Sequence, residues 1–168
     1  CSSDLLLYFY SSDYKKMTLI GNIVVALLVA AALFLPVLAD ANAFHNNTCR
    51  IIILSYCIFA FMLTMVREII KDCEDIEGDS KAGARTLPIV IGTFASGVIA
   101  GILAIVVNLS LAWIQIQQEQ WKDLPSFLYI VIAVQIPLLY LAVQLFRKNH
   151  KQSFHQLSII SKLVMFTG

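Results

Sequence analysis

Four carboxylates in the stretch REIIKDCEDIEGDSKAGARTLPI, Arg67 to Ile89, have the residue type and spacing to hold a cation together. With Glu68 as the origin of a helix turning about 100° per residue, Asp72 falls near 40°, Asp75 near −20° and Asp79 near 20°. The four share an arc of about 60°, while Glu74 and Glu77 point elsewhere. Like charges three and four residues apart repel, so such a stripe destabilises its own helix unless a positive group offsets it. Arg67, Lys71, Lys81 and Arg85 are close in sequence but lie mostly off the stripe. A solvated loop would also be charged, and in an arbitrary membrane protein that is the commoner explanation. The register argues for chemistry instead. Carboxylate oxygens are hard ligands, and Mg²⁺ typically takes one or two of them, keeps some waters and binds substrate phosphates with its other positions. A pair such as Asp72/Asp75 or Asp75/Asp79 at a membrane surface is the arrangement expected for holding a diphosphate through Mg²⁺. Flanking Lys and Arg could then contact phosphate oxygens directly.

The elements that carry this stretch are apolar. The chain has 168 residues, 59% of them hydrophobic and 14% charged, with a mean hydropathy of +0.79. Soluble domains are nearer about half apolar and about a quarter charged, so the composition indicates a membrane protein. Six of the eleven acidic residues nevertheless fall between Glu68 and Asp79. A net charge of +1 with no basic run gives no indication of nucleic acid. Cys1, Cys49, Cys57 and Cys73 show neither a CxxC nor a His-paired spacing, so no zinc site or disulfide framework is expected.

A bilayer span needs roughly 20 mostly apolar residues. Leu19–Leu38, Ile51–Ile70, Phe94–Ile116 and Phe127–Phe146 qualify. In the second of these the uncharged part ends at Val66 and covers only about 24 Å, so that helix is expected to leave the hydrocarbon near Arg67. Leu5–Tyr10 reads as the tail of a preceding span and Leu157–Gly168 as the start of a following one, so the chain reads as a piece of a longer protein. Lys15, Lys16, Arg67, Lys71, Lys81, Arg85, Arg147, Lys148 and Lys151 fall in one set of loops; Arg50 and Lys122 fall in the other. That asymmetry predicts a cytoplasmic acidic segment in a multi-pass integral membrane protein. Gly78 and Gly83, followed by Thr86-Leu87-Pro88, predict that the helix does not run unbroken into the next span. Gly83 is expected to turn the chain and Pro88 to restart a helix, so the arc holds more securely for Glu68–Asp75 than for Asp79. Pro36 and Pro137 should kink their spans. Gly97 and Gly101 predict a close helix contact, and Asn108 an interhelical hydrogen bond.

The stretch REIIKDCEDIEGDSKAGARTLPIVIG resembles the second aspartate-rich motif of the UbiA superfamily of intramembrane prenyltransferases. It looks most like the geranylgeranylglycerol-phosphate geranylgeranyltransferase branch. The upstream YKKMTLIGNIVVALL, Tyr14 to Leu28, also resembles that family's basic loop and the Gly-Asn start of its next helix. The resemblance implies an all-α, polytopic transmembrane bundle, of which residues 1–168 form one partial domain. It further implies two facing aspartate motifs that hold Mg²⁺ and a prenyl diphosphate. The first motif, NxxxDxxxD, is absent and would lie before Cys1, so these residues alone should be inactive.

On the second motif the resemblance assigns Asp75 and Asp79 to Mg²⁺, with Asp72 as a further ligand and catalytic participant. Lys71, Lys81 and Arg85 become candidate contacts to the diphosphate. The implied reaction is ionisation of the prenyl diphosphate in an apolar cavity, followed by attack of a lipophilic acceptor such as geranylgeranylglyceryl phosphate. An aromatic acceptor of quinone biosynthesis is the alternative within the family. Phosphotransferases acting on CDP-linked alcohols carry DGxxAR between their aspartates, which this sequence lacks. A transporter, or a scaffold with a cytoplasmic acidic loop, is the non-enzymatic alternative, although transporters usually place ionisable groups inside their spans.

Overall fold

The structure, a computed structural model, describes residues 19–39, 47–117, 123–147 and 151–168. Among these residues it is all helical: α1 (Ile20–Ala39), α2 (Asn47–Glu74), α3 (Ile76–Lys81), α4 (Leu87–Ile91), α5 (Thr93–Gln117), α6 (Leu124–Ile130), α7 (Ile136–Phe146) and α8 (Lys151–Thr167). A π-helical turn, Val131–Gln135, joins α6 to α7. Three stretches are long and apolar enough to cross a membrane, Cys49–Glu74, Thr93–Gln117 and Leu124–Phe146. Helix α1 is also apolar, with a shorter clear stretch over Ile20–Leu35. The expected Leu5–Tyr10 tail, Lys15, Lys16, Lys122, Lys148 and Cys1 lie outside the described residues. The described part is an all-α bundle of integral-membrane type.

Helix α2 is the hub, packing against α1, α5 and α8, while α5 and α8 also pack on α7. The shared core includes Val66, Ile69, Ile70 and Cys73 of α2, Ala100, Ala104 and Val107 of α5, Leu138, Leu141 and Leu145 of α7, and Leu157 and Val164 of α8. Large apolar side chains such as Leu28, Leu109, Trp113 and Ile132 remain exposed. In a bilayer, lipid or a further helix would cover these side chains, and helix association rests on close packing and hydrogen bonds, because lipid tails are as apolar as leucine.

The small residues supply the close packing. A Cβ on Gly97 would lie 3.3 Å from the Leu145 carbonyl oxygen, and one on Gly101 would lie 3.1 Å from the Phe146 ring. The two glycines therefore let α5 approach α7, as their spacing predicts. Asn108 Nδ2 donates to the Gln135 carbonyl at 2.9 Å, and Gln135 Nε2 donates to Gln115 Oε1 at 3.0 Å. These bonds tie α5 to the π turn. Pro137, just after that turn, has no N–H to give the Ala133 carbonyl four residues back. The Thr167 hydroxyl of α8 lies 3.1 Å from that carbonyl and 3.0 Å from Leu163 O of its own helix. Its one proton is thus shared between them, and the irregular backbone is covered by a neighbouring helix.

Asn108→Leu should lower stability by about 0.6 kcal/mol, the typical worth of one interhelical hydrogen bond in a membrane protein. Thermal unfolding in detergent checks this, and no change would mean that the Asn108–Gln135 bond contributes nothing.

The Arg67–Ile89 region differs from expectation at two points. The break comes earlier than Gly78: α2 ends at Glu74, and Asp75, with φ −90° and ψ 8°, caps the short helix α3. The hydrogen-bond ladder still passes through the bend, since Asp75 N–H donates to Lys71 O at 2.9 Å and Asp79 N–H donates to Asp75 O at 3.0 Å. Glu68, counted with Asp72, Asp75 and Asp79 on one arc, is only 8% exposed and so does not join their open edge. The apolar face of α2 continues past it through Ile69, Ile70 and Cys73, so helix packing extends to the end of α2. Gly83 does turn the chain, at φ +68°, a conformation that strains any residue with a Cβ. Pro88 sits in the first turn of α4, where a missing N–H costs nothing.

Candidate functional site

The acidic segment lies at one end of the bundle. Several contacts bring helix ends together there: Asn22 at the start of α1 meets Asp72, Glu74 meets His155 near the start of α8, and the Gly97 backbone near the start of α5 meets Leu145 of α7. The basic residues Arg67, Lys71, Lys81, Arg85 and Arg147 sit on elements that end or begin at this level, whereas Arg50 sits at the far end of α2.

Asp72 is half-buried, and its Oδ2 accepts a 2.8 Å hydrogen bond from Asn22 Nδ2, fifty residues earlier in the chain. Asp79 and Glu68 add negative charge around Asp72, and Lys71 adds positive charge. Asp75 is exposed at the bend and Asp79 is half-buried on α3. Lys71, Lys81 and Arg85 are exposed. Glu68 is paired with the guanidinium of Arg67. Glu74 points away from the stripe, as its angle predicts, and its Oε1 lies 2.6 Å from His155 Nδ1. The Ser158 hydroxyl also bonds Glu74, and Lys162 is close enough to add its charge. His155, Ser158 and Lys162 recur at helical spacing on α8 and so form a single receiving face.

The repulsion within the acidic segment is therefore offset by more partners than sequence proximity offers. Arg67 and Lys71 come from α2 itself, but Asn22 and His155 are supplied by distant helices. Asn22 had a local signal, as a polar residue in the first turn of an apolar helix, although nothing nearby names its partner. His155 had only the His155/Ser158/Lys162 spacing.

Among the described residues, no three His, Cys, Asp or Glu side chains converge closely enough to enclose a metal ion. Asp72, Asp75 and Asp79 form an open edge of hard oxygen donors. That donor set fits Mg²⁺, which binds through one or two carboxylates and completes its shell with water and phosphate oxygens. The soft candidate nearby, Cys73, is buried on the core side of α2, with Sγ 4.0 Å from Thr93 O. Its thiol does not join the acidic edge. Cys49, Cys57 and Cys73 are all free.

Further along the bundle, an open groove of about 520 Å³ runs between α2 and α5, lined by Phe59, Met62, Val107 and Trp113 among others. Ser55 and Ser110 in its wall each donate to the carbonyl four residues earlier, at 2.8 Å, which leaves the wall essentially apolar.

Comparison with known proteins identifies the family. The UbiA prenyltransferase family matches residues 3–165. The chain is 36% identical over 147 residues to digeranylgeranylglyceryl phosphate synthase of Methanothermobacter thermautotrophicus, covering 86% of this chain and 45% of that protein. It is 34% identical over 168 residues to the protein of the same name from Methanosphaera stadtmanae, covering 96% and 56% respectively. A solved structure described as giving insights into the biosynthesis of digeranylgeranylglyceryl phosphate synthase in membranes superposes with a TM-score of 0.72 at 26% identity. That superposition covers 97% of this chain and 56% of the other. The chain thus spans about half the length of the curated relatives it matches. With the family matching nearly every residue, and with the helical architecture in agreement, the chain belongs to the UbiA prenyltransferase family.

Proposed function

We propose that this chain supplies the second aspartate motif of a Mg²⁺-dependent enzyme that transfers an isoprenyl group from a prenyl diphosphate to a lipophilic acceptor. The acceptor favoured is geranylgeranylglyceryl phosphate, because the relatives are named for the product that one further geranylgeranyl group would make from it. The observation that carries the reading is the open edge of Asp72, Asp75 and Asp79 at the end of the bundle where Lys71, Lys81 and Arg85 also lie.

In this reading Asp75 and Asp79 hold the cation, with Asp72 one turn earlier as a third oxygen donor. Lys71, Lys81 and Arg85, all exposed, reach phosphate oxygens by charge-assisted hydrogen bonds. Bound Mg²⁺ supplies positive charge that stabilises the departing diphosphate. The bend at Asp75 turns α3 out of line with α2 and presents Asp75 at an exposed corner. The facing aspartate motif belongs to the other half of such a protein, and the two halves together make one transmembrane domain. The excess of Lys and Arg at the acidic end puts that end on the cytoplasmic side.

The test is diphosphate release by the full-length protein in membranes or detergent. Geranylgeranyl diphosphate would be the donor, with geranylgeranylglyceryl phosphate and 4-hydroxybenzoate as competing acceptors. Release that needs Mg²⁺ and the glyceryl phosphate is expected. Dependence on the aromatic acceptor would move the protein to the quinone branches. No release from folded protein across a range of donors and acceptors would leave a scaffold.

A further inference from the structure

The hydrogen bond between Asn22 and Asp72 crosses the seam between α1 and α2, and the reading of Asp72 as a metal-site carboxylate gives it a role. We propose that Asn22 is a positioning residue for that site: its amide holds one oxygen of Asp72 and leaves the other to be presented to the divalent cation. The inference rests on the function proposed above.

The geometry gives the amide a definite task. Helices α1 and α2 pack together, and the contact joins the start of one to the end of the other, so they run antiparallel. In that register Ala26, one turn further along α1, comes level with Glu68 and is completely buried. The small side chain lets the two helices approach closely enough for Asn22 to span the seam at 2.8 Å. Asp72 meanwhile stands among Glu68, Asp79 and Lys71. Left unrestrained, its carboxylate would swing toward Lys71 and away from its acidic neighbours. A bond from a second helix fixes its rotation against those forces.

The chemical type of the partner matters as much as its position. Lys or Arg in place of Asn22 would hold Asp72 more strongly but would cancel the charge that a divalent cation needs. An amide donates a hydrogen bond and carries no net charge. It orients the carboxylate and leaves its charge intact, as the hydrogen-bonding partners of metal ligands do elsewhere. A residue that merely pinned α1 to α2 would not need to be neutral. That difference separates the two roles.

The experiment measures binding of Mn²⁺, a paramagnetic substitute for Mg²⁺, to the full-length protein with inorganic pyrophosphate present. Electron paramagnetic resonance gives the affinity, and thermal unfolding is followed in parallel. Asn22→Ala should weaken Mn²⁺ binding by about 10- to 100-fold, the usual effect of removing a partner of a metal ligand. Asn22→Lys should keep the wild-type unfolding temperature, because its ammonium pairs with Asp72, yet bind Mn²⁺ at least as poorly as Asn22→Ala. A purely structural pin predicts instead that Asn22→Ala lowers the unfolding temperature and leaves Mn²⁺ affinity within about twofold of wild type. That result, or affinities within about twofold of wild type in both variants, would overturn the assignment. If the wild-type protein itself binds no Mn²⁺ with pyrophosphate, the metal reading of the aspartates fails and this role falls with it.

Discussion

Asp75→Asn and Asp79→Asn should each reduce Mg²⁺-dependent diphosphate release by roughly 100- to 1,000-fold, the scale of losing one preorganised group that stabilises developing charge. Asparagine keeps the size of the side chain and one carbonyl-type oxygen, but it removes the negative charge that holds a hard divalent cation. Asp75 is exposed and Asp79 half-buried, so neither change should disturb the fold. The unfolding temperature is the control. Asp72→Asn should cost somewhat less, about 100-fold, because one of its oxygens is already engaged by Asn22. The assay is release of diphosphate from geranylgeranyl diphosphate over a range of Mg²⁺ concentrations. Wild-type rates in both Asp75→Asn and Asp79→Asn would return the segment to the solvated-loop explanation.

The second large effect is on stability. Gly97→Leu should destabilise the bundle by roughly 1–3 kcal/mol, as overpacking of a close contact does. The atom a new Cβ would meet is the Leu145 carbonyl oxygen at 3.3 Å, which belongs to the backbone of α7 and cannot rotate aside. The remaining atoms of leucine would force α5 and α7 apart. That separation would also disturb the neighbouring contact between Gly101 and the Phe146 ring. Ile132→Leu, at a 60% exposed position, provides the neutral comparison. Thermal unfolding of the two variants side by side decides the matter. Equal unfolding temperatures would mean that the α5–α7 seam accommodates the larger residue, and that the Gly97/Gly101 spacing carries no packing constraint.

Much of the molecule was legible because its signals are local. Continuous apolar runs marked α2, α5 and the α6–α7 stretch as spans. Gly83 and Pro88 marked the turn and the restart for stereochemical reasons that hold within a few residues. Asn108 was legible as a hydrogen-bonding residue because an amide at that depth needs a partner, although its partner proved to be a backbone carbonyl in a π turn. That π turn had only Pro137 as its signal, and a proline announces a kink without specifying its form. The bend at Asp75 was misplaced because Gly78 is the expected helix breaker there, whereas the backbone changes direction at an aspartate.

The sequence by itself determined the class of the protein: an all-α membrane chain whose acidic register, flanking basic residues and motif mark a prenyltransferase family. The tertiary structure alone decided which helices meet at the acidic end. It brought Asn22 to Asp72 and His155 to Glu74, and it buried Glu68, which the register had grouped with the other three carboxylates. The physical reason lies in the bilayer. A helix face turned to lipid and one turned to another helix are both apolar, so hydropathy does not distinguish them, and partner choice rests on packing and hydrogen bonds between residues far apart in the chain.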